Sequence, residues 1–318
     1  MKIAVTAANF SRDCEAIRSL RQAGFEVRFL SEGKFSLSTP EERVIEAVGG
    51  CDAVVAGLEP YSRRVLEALP GLKLISRCGV GYDSIDPAAC RDLGVTLCRA
   101  VGAVEGAVAE HVMAYILFFA RRLDLQSKAM HEGVWKKTFP RGAKGSTLGL
   151  VGFGGIGKEI ALRARPFGMK ILYSCRHPNP EWEERYGAEY APLPDLLAAS
   201  DYVSVNVPLT PETRGMFGAK EFAQMKENAV FINIARGAVA DESALAEALK
   251  SGHLGGAGVD VFPHEPSVDS PLRACENAVL TPHTASSTTE NRALMARVSA
   301  QNAIDWAAGR LNPAARVA

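Results

Sequence analysis

Three residues in the second half of the chain could do acid–base chemistry together. They are Arg236 in "INIARGAVAD", Glu265 in "VFPHEP" and His283 in "VLTPH". Each stands at or just past the end of an apolar run that reads as a strand. Open α/β sheets bind ligands beyond the carboxyl ends of their parallel strands, so three such ends would gather these side chains at one edge. Their chemistries are complementary. An arginine grips a carboxylate through a two-pronged fork and can polarise a neighbouring ketone. A histidine titrates near neutrality, gives a proton to a nascent alkoxide and recovers it in reverse. A carboxylate on the second ring nitrogen fixes the tautomer and favours imidazolium. With a hydride donor, that set can reduce a 2-keto acid. Taken singly, each has a plainer reading: Arg236 as a turn residue before Gly237, Glu265 as a loop cap before Pro266, His283 as a core histidine. Three strand ends together, downstream of a dinucleotide loop, favour the chemical reading.

That loop is "GLVGFGGIGKEIALRA", with Gly152-x-Gly154-x-x-Gly157 between an apolar strand and a helix-forming run. Gly152 permits a tight turn, Gly154 lets backbone N–H groups approach a pyrophosphate, and Gly157 lets the helix pack close to the strand. The helix N-terminus adds orphan donors and a positive dipole for the phosphates. A purely structural glycine turn is the plainer reading, and the strand–loop–helix context argues against it. Further on, NAD-using fingerprints carry an acid that binds the ribose hydroxyls. Here "KILYSCRHPN" has Ser174, Cys175 and Arg176 instead. Losing the acid removes repulsion of a 2′-phosphate, Arg176 can pair with one, and Ser174 can donate a hydrogen bond. The expectation is NADP(H), with NAD(H) the alternative if Arg176 only stacks on adenine.

Alternating strand-like and helix-like stretches must position these residues. Strands are expected at 2–7, 52–57, 73–79 and 95–98, and an amphipathic helix at 14–24. A long apolar helix over 104–123 leads into a polar stretch with Gly133, Trp135 and Pro140. A second series follows, with strands at 147–153, 170–174, 202–208, 229–235, 256–262 and 278–283, a helix at 241–252 and a last helix at 289–309. Repeated βα units imply parallel sheets covered by helices on both faces. The fold class is α/β, with two doubly wound parallel-sheet lobes. A Rossmann nucleotide domain is expected over 100–286, and a discontinuous flavodoxin-like substrate domain over 1–99 and 287–318.

Composition excludes several other classes. Apolar residues at 47% and charged residues at 23% fit an ordinary globular protein of about two domains. Formal net charge is zero with no basic block, so no nucleic-acid partner is expected. Glu110 and His111 interrupt the most apolar run, which leaves no membrane span, and the N-terminus lacks a secretory pattern. The seven cysteines form no C-x-x-C pair, so neither a disulfide framework nor a metal site is expected, and a reducing cytoplasm is.

"SDYVSVNVPLTPETRGM", "MKENAVFINIARGAVADESALAEALKSG", "GVDVFPHEP" and "LTPHTA" resemble the D-isomer-specific 2-hydroxyacid dehydrogenases from about Ala53 to Gly309. That family includes phosphoglycerate dehydrogenases, glyoxylate/hydroxypyruvate reductases and formate dehydrogenases. The resemblance implies catalytic roles for Arg236, Glu265 and His283. It also implies that Asp260 lies near the nicotinamide carboxamide and that Val207, Pro208 and Thr213 line the adenosine and phosphate side. Gly155, Ile156, Ile234 and Ala235 complete the expected cofactor contacts. "SRCGVGYDSID" matches the family's substrate loop, where the N–H groups of Val80 and Gly81 would bind the substrate carboxylate beside Arg236 and His283. Relatives dimerise through the nucleotide domain, which implies a homodimer through 104–123 and the Trp135 region.

Within the family, Arg77 matches a position where phosphoglycerate dehydrogenases place an arginine near the phosphate. Gly57 and Glu59 depart from that subgroup's other basic contact, and Glu59 would repel a phosphate. Val101 to Val104 replace a common Pro-Gly-Ala-Asn, and the subgroup's regulatory C-terminal extension is missing. A small unphosphorylated acid, glyoxylate or hydroxypyruvate, is the expected substrate. D-3-phosphoglycerate is the alternative, and a non-catalytic NAD(P)-binding regulator the further one.

Overall fold

The computed structural model describes all 318 residues. The chain divides into two compact units, residues 1–104 with 287–318, and residues 105–286.

The first unit runs β1 (Lys2–Val5), α1 (Glu15–Gln22), β2 (Glu26–Phe29), α2 (Glu41–Val48), β3 (Ala53–Ala56), α3 (Arg63–Glu67), β4 (Leu74–Arg77), α4 (Pro87–Asp92) and β5 (Thr96–Arg99). Its sheet is all parallel, in the order β2-β1-β3-β4-β5. Every residue of β3 and β4 is buried, as expected for strands covered on both faces. Local chemistry sets the helix starts: Asp86 caps α4 by accepting from the N–H groups of Ala88 and Ala89, with Pro87 in the first turn. The chain's last helix returns to this unit, and the Ser76 hydroxyl on β4 donates to the Ser299 carbonyl on it at 2.8 Å.

The second unit runs α5 (Glu105–Arg121), α6 (Leu123–His131), β6 (Thr147–Val151), α7 (Gly155–Ala164), β7 (Lys170–Ser174), α8 (Pro180–Tyr186), β8 (Ala188–Tyr190), α9 (Leu193–Ala199), β9 (Tyr202–Val205), α10 (Ala219–Gln224), β10 (Val230–Asn233), α11 (Glu242–Lys250), β11 (Gly256–Val259) and β12 (Ala278–Leu280). The returning helix, α12, spans Thr289–Ala307. The seven strands are parallel, in the order β12-β11-β10-β9-β6-β7-β8. The order therefore reverses between β6 and β9, which is the doubly wound Rossmann arrangement.

Three sequence expectations change. The helix expected over 104–123 ends at Arg121, because Arg122 adopts a left-handed backbone (φ 48°) and grips Asp124 through two hydrogen bonds. The polar stretch after it contains α6, which buries no residue and so leaves no apolar stripe to read. The strands expected to reach 208, 262 and 283 stop at Val205, Val259 and Leu280. The functional segments are thus loops beyond the strands.

Helix α5 is pressed onto the sheet because β11 is built from glycines. A Cβ on Gly256 would lie 2.4 Å from the Phe119 ring, and one on Gly258 would lie 2.6 Å from the Tyr115 ring. Gly258→Ala is therefore expected to destabilise the protein by about 1–3 kcal/mol through overpacking, read as a lower urea midpoint. An unchanged midpoint would mean that α5 can lift off the strand freely.

Candidate active site

Arg236 is placed by the residue that ends β10. Asn233 is buried; its side chain donates to the Arg236 carbonyl at 3.1 Å and accepts the Ala235 N–H at 3.1 Å. The Arg236 guanidinium is half-buried and donates to the Ala235 carbonyl at 2.6 Å. The next residue must be glycine. A Cβ on Gly237 would fall 1.9 Å from the Phe262 carbonyl carbon, so the loops after β10 and β11 touch backbone to backbone.

The β11 loop carries Glu265. Its Oε1 accepts the Phe262 N–H at 3.0 Å, and its Oε2 lies 2.6 Å from Nδ1 of His283. Burial works to raise the Glu265 carboxyl. The His283 hydrogen bond, the Phe262 N–H and the charges of His283 and Arg236 outweigh it and hold the carboxyl below its ordinary range. An ionised carboxylate only accepts, so Nδ1 carries the proton and the opposite nitrogen, Nε2, is left for other partners. His283 was expected to end a strand. It lies three residues past Leu280, exposed, with a left-handed backbone (φ 54°) that few non-glycine residues adopt.

Asp260 is fully buried beneath this turn. Its backbone carbonyl accepts the His283 N–H at 2.7 Å, while its carboxylate accepts the N–H groups of Thr284 at 2.7 Å and Ala285 at 2.9 Å. Sequence reading placed Asp260 beside a cofactor and missed this clamp. It missed Asn233 as well. An Asn or Asp at or just past a strand's end, with a loop following, is the signal that could have found both.

The glycine loop lies at the switch point. Gly152 follows β6 with φ 96°, and a Cβ there would meet the Asn206 backbone beyond β9 at 2.9 Å. A Cβ on Gly157 would meet the Gly152 carbonyl oxygen at 2.5 Å, which is the close helix–strand approach expected of it. Gly154 has nothing within 4 Å of its Cβ position, and Gly154 and Gly155 are exposed. The N-cap of α7 is Gly154, which has no side chain to bond the first-turn amides, including that of Ile156, and the Glu105 side chain lies against Gly155 beside them. A pyrophosphate fits such an open, donor-lined cradle.

The other expected cofactor residues lie around the same edge. Ser174 ends β7, Cys175 is half-buried and Arg176 is exposed. Thr213 donates to the Pro208 carbonyl at 2.6 Å, which folds the loop after Val207. Ile234 and Ala235 are buried after β10.

In the first unit, Val80 and Gly81 are half-buried in the loop after β4. Arg77 is buried, with its guanidinium bonded to the Cys78 carbonyl and lying against Gly79. The expectation that Glu59 would repel a phosphate is corrected. Its side chain is wholly buried and accepts hydrogen bonds from Thr6, the Gly57 N–H and Tyr61. A carboxylate so enclosed serves the core of its own unit.

A glycine loop at the switch point of a seven-stranded parallel sheet defines a dinucleotide-binding oxidoreductase unit. Residues 113–285 match the family model described as D-isomer specific 2-hydroxyacid dehydrogenase, NAD binding domain. The chain is 42% identical over 284 residues to a glyoxylate reductase of Thermococcus litoralis, covering 86% of each protein. It is 41% identical over 277 residues to glyoxylate/hydroxypyruvate reductase B of Citrobacter koseri, covering 85% of this chain and 86% of the other. The solved structure of a glyoxylate reductase from Paecilomyes thermophila superposes with a TM-score of 0.87 at 31% identity, over 100% of this chain and 98% of that one. The chain belongs to the D-isomer-specific 2-hydroxyacid dehydrogenases. It is thus an oxidoreductase acting on CH–OH donors with a nicotinamide cofactor, and no helix in it is long and apolar enough to cross a membrane.

The lowered Glu265 carboxyl makes stability depend on pH. A carboxylate depressed in the folded state stabilises it above the unfolded value, about 4.3 for glutamate, and that gain is lost as pH falls through the lower folded value. Wild type should therefore exceed Glu265→Gln in stability at pH 7, with the gap narrowing in acid. Urea unfolding at several pH values measures it. A gap that stays constant from neutrality to pH 3 would contradict the assigned shift.

Proposed function

We propose that the enzyme interconverts a small unphosphorylated 2-keto acid, glyoxylate or hydroxypyruvate, with the D-2-hydroxy acid. In this reading NADP(H) is preferred over NAD(H). Residues 105–286 form the nucleotide domain, and residues 1–104 with 287–318 form the substrate domain. The observation that carries the reading is the 2.6 Å pair between His283 Nδ1 and Glu265, beside the Arg236 loop.

When bound, the nicotinamide supplies the hydride. Ionised Glu265 holds His283 by Nδ1 and fixes the ring's orientation, so Nε2 is the nitrogen left to act as the acid on the substrate. Nε2 protonates the ketone oxygen as it becomes an alkoxide, and takes the proton back in the oxidative direction. Arg236 grips the substrate carboxylate and polarises the ketone. Its side chain rests on the Ala235 carbonyl, half-buried, so little freedom remains to be lost on binding.

The substrate class is supported by both curated relatives, whose names specify glyoxylate or hydroxypyruvate. It is also supported by Arg77, whose guanidinium is engaged with its own loop rather than exposed for a phosphate. The cofactor preference rests on Arg176, exposed past β7 where an acid would repel a 2′-phosphate. Lys158 adds positive charge near Cys175, its ammonium 3.8 Å over the Trp182 ring. Exposed Trp135 and Phe139, at 80% and 93%, follow α6 and support a homodimer through this part of the chain. Seven free cysteines, five of them buried, suit a reducing cytoplasm.

His283→Ala should lower kcat by about 10²–10⁴-fold while nucleotide binding, followed by fluorescence titration, is retained. Turnover equal to wild type would remove His283 as the proton donor. For the cofactor, kcat/KM with NADPH should exceed that with NADH, and Arg176→Ala should reduce or reverse the ratio. A wild-type ratio favouring NADH would overturn the preference.

A further inference from the structure

We propose that His111 and Tyr115, one helical turn apart on α5, are positioning residues for His283 that act through Thr281 and Asp260. The inference rests on the reading of His283 as the proton donor.

Four side chains form a chain of hydrogen bonds under the His283 turn. The Thr281 hydroxyl lies 2.6 Å from Asp260 Oδ1, 2.6 Å from the Tyr115 hydroxyl and 3.2 Å from His111 Nε2. A hydroxyl has one proton and two lone pairs. The Thr281 hydroxyl donates its one proton to Asp260 Oδ1, and the Asp260 oxygens also accept the Thr284 and Ala285 N–H groups. Both other neighbours must then donate to Thr281. Tyr115 can do so, since burial pushes its phenol well above the ordinary tyrosine range and it keeps its proton. His111 must donate from Nε2–H, with its ring edge-on to Tyr115 at 83° and 4.7 Å between centroids. With both lone pairs filled, the Thr281 hydroxyl has one orientation left, toward Asp260.

Asp260 passes this constraint on. Through two amide bonds from its carboxylate and one from its backbone carbonyl, it holds residues 283–285. The held segment needs holding, because a left-handed histidine relaxes toward negative φ when its turn is loose. Such a relaxation would swing the imidazole off Glu265. The anchor at the far end is rigid: the Tyr115 ring is seated against Gly258 of β11. Helix α5 thus sets the proton donor from behind, and neither His111 nor Tyr115 needs to touch the substrate.

The test is steady-state kinetics of the full chain at saturating nucleotide. Thr281→Val keeps the shape and removes the hydroxyl; it should lower kcat about 10- to 100-fold, as expected for a displacement near 1 Å. The keto-acid KM and nucleotide Kd should stay within about twofold, and Thr281→Ser should restore most of the rate. Tyr115→Phe and His111→Phe should each lower kcat about 3- to 10-fold alone and have no further effect in the Thr281→Val background. In the same variant the Thr284 and Ala285 amides should exchange with solvent faster than in wild type. An unchanged kcat in Thr281→Val, losses that add in the double variants, or a weaker nucleotide Kd at unchanged kcat would each overturn the proposal. The His283→Ala control reports on the proton donor alone. If that reading fails, the tether still stands or falls on the two amides, and unchanged protection in Thr281→Val overturns it.

Discussion

The site depends on one short contact, the 2.6 Å bond between His283 Nδ1 and Glu265. Its partners come from loops beyond different strands, β11 and β12, and a charge-assisted bond of this length tolerates only a few tenths of an ångström of misplacement. Much of the nearby sequence serves that tolerance. Gly237 lets the β10 loop lie directly on the Phe262 backbone, which sets Arg236 near enough for its charge to bear on Glu265. Asn233 fixes the loop before Arg236, and Asp260 fixes the turn that carries His283. Each is a buried polar side chain whose bonds go mainly to backbone, the least adaptable partner available.

Helix α5 joins this polar apparatus to the core. One face packs on β10 and β11 through apolar and aromatic residues, and the same face carries His111 and Tyr115 into the network under Asp260. A side chain cannot be pressed onto a strand and remain loose, so glycines at 256 and 258 constrain the tyrosine hydroxyl as well as the packing. Stability and positioning are therefore coupled here, which is typical of sites built on regular elements rather than free loops.

The fold class could be read directly because it depends on local pattern, and so could the positions from which Arg236, Glu265 and His283 converge beyond the strands. Continuous apolar runs, the glycine fingerprint and the arginine, glutamate and histidine after strands are all written in short windows. What lay outside those windows depended on packing. Strand ends were read two to three residues too long, because the apolar character of Phe262 and Thr281-Pro282 continues past the last ladder bond. Helix α6 was invisible because it buries nothing. Glu59 misled for the converse reason. A glutamate beside Pro60 reads as a charge that would repel a phosphate, and only the tertiary arrival of Thr6, added to Gly57 and Tyr61 of its own loop, gives its buried oxygen its partners.

The end of β7 follows a different physics from the rest of the site. Its residues are exposed or half-buried, and little of the fold holds Arg176 in one place. The charges there act through open solvent more than through fit. Arg176 and Lys158 contribute positive charge, while Glu212 lies close enough to feel Arg176 and remains ionised, held low first by its bond to Thr210. Electrostatic attraction between such exposed charges and a bound anion is weakened by salt. At the other end of the edge, His283 is exposed but is held by its short bond to the half-buried Glu265. Arg176, by contrast, is a residue that can be substituted with little disturbance to the fold, because it is exposed and lies past the end of β7.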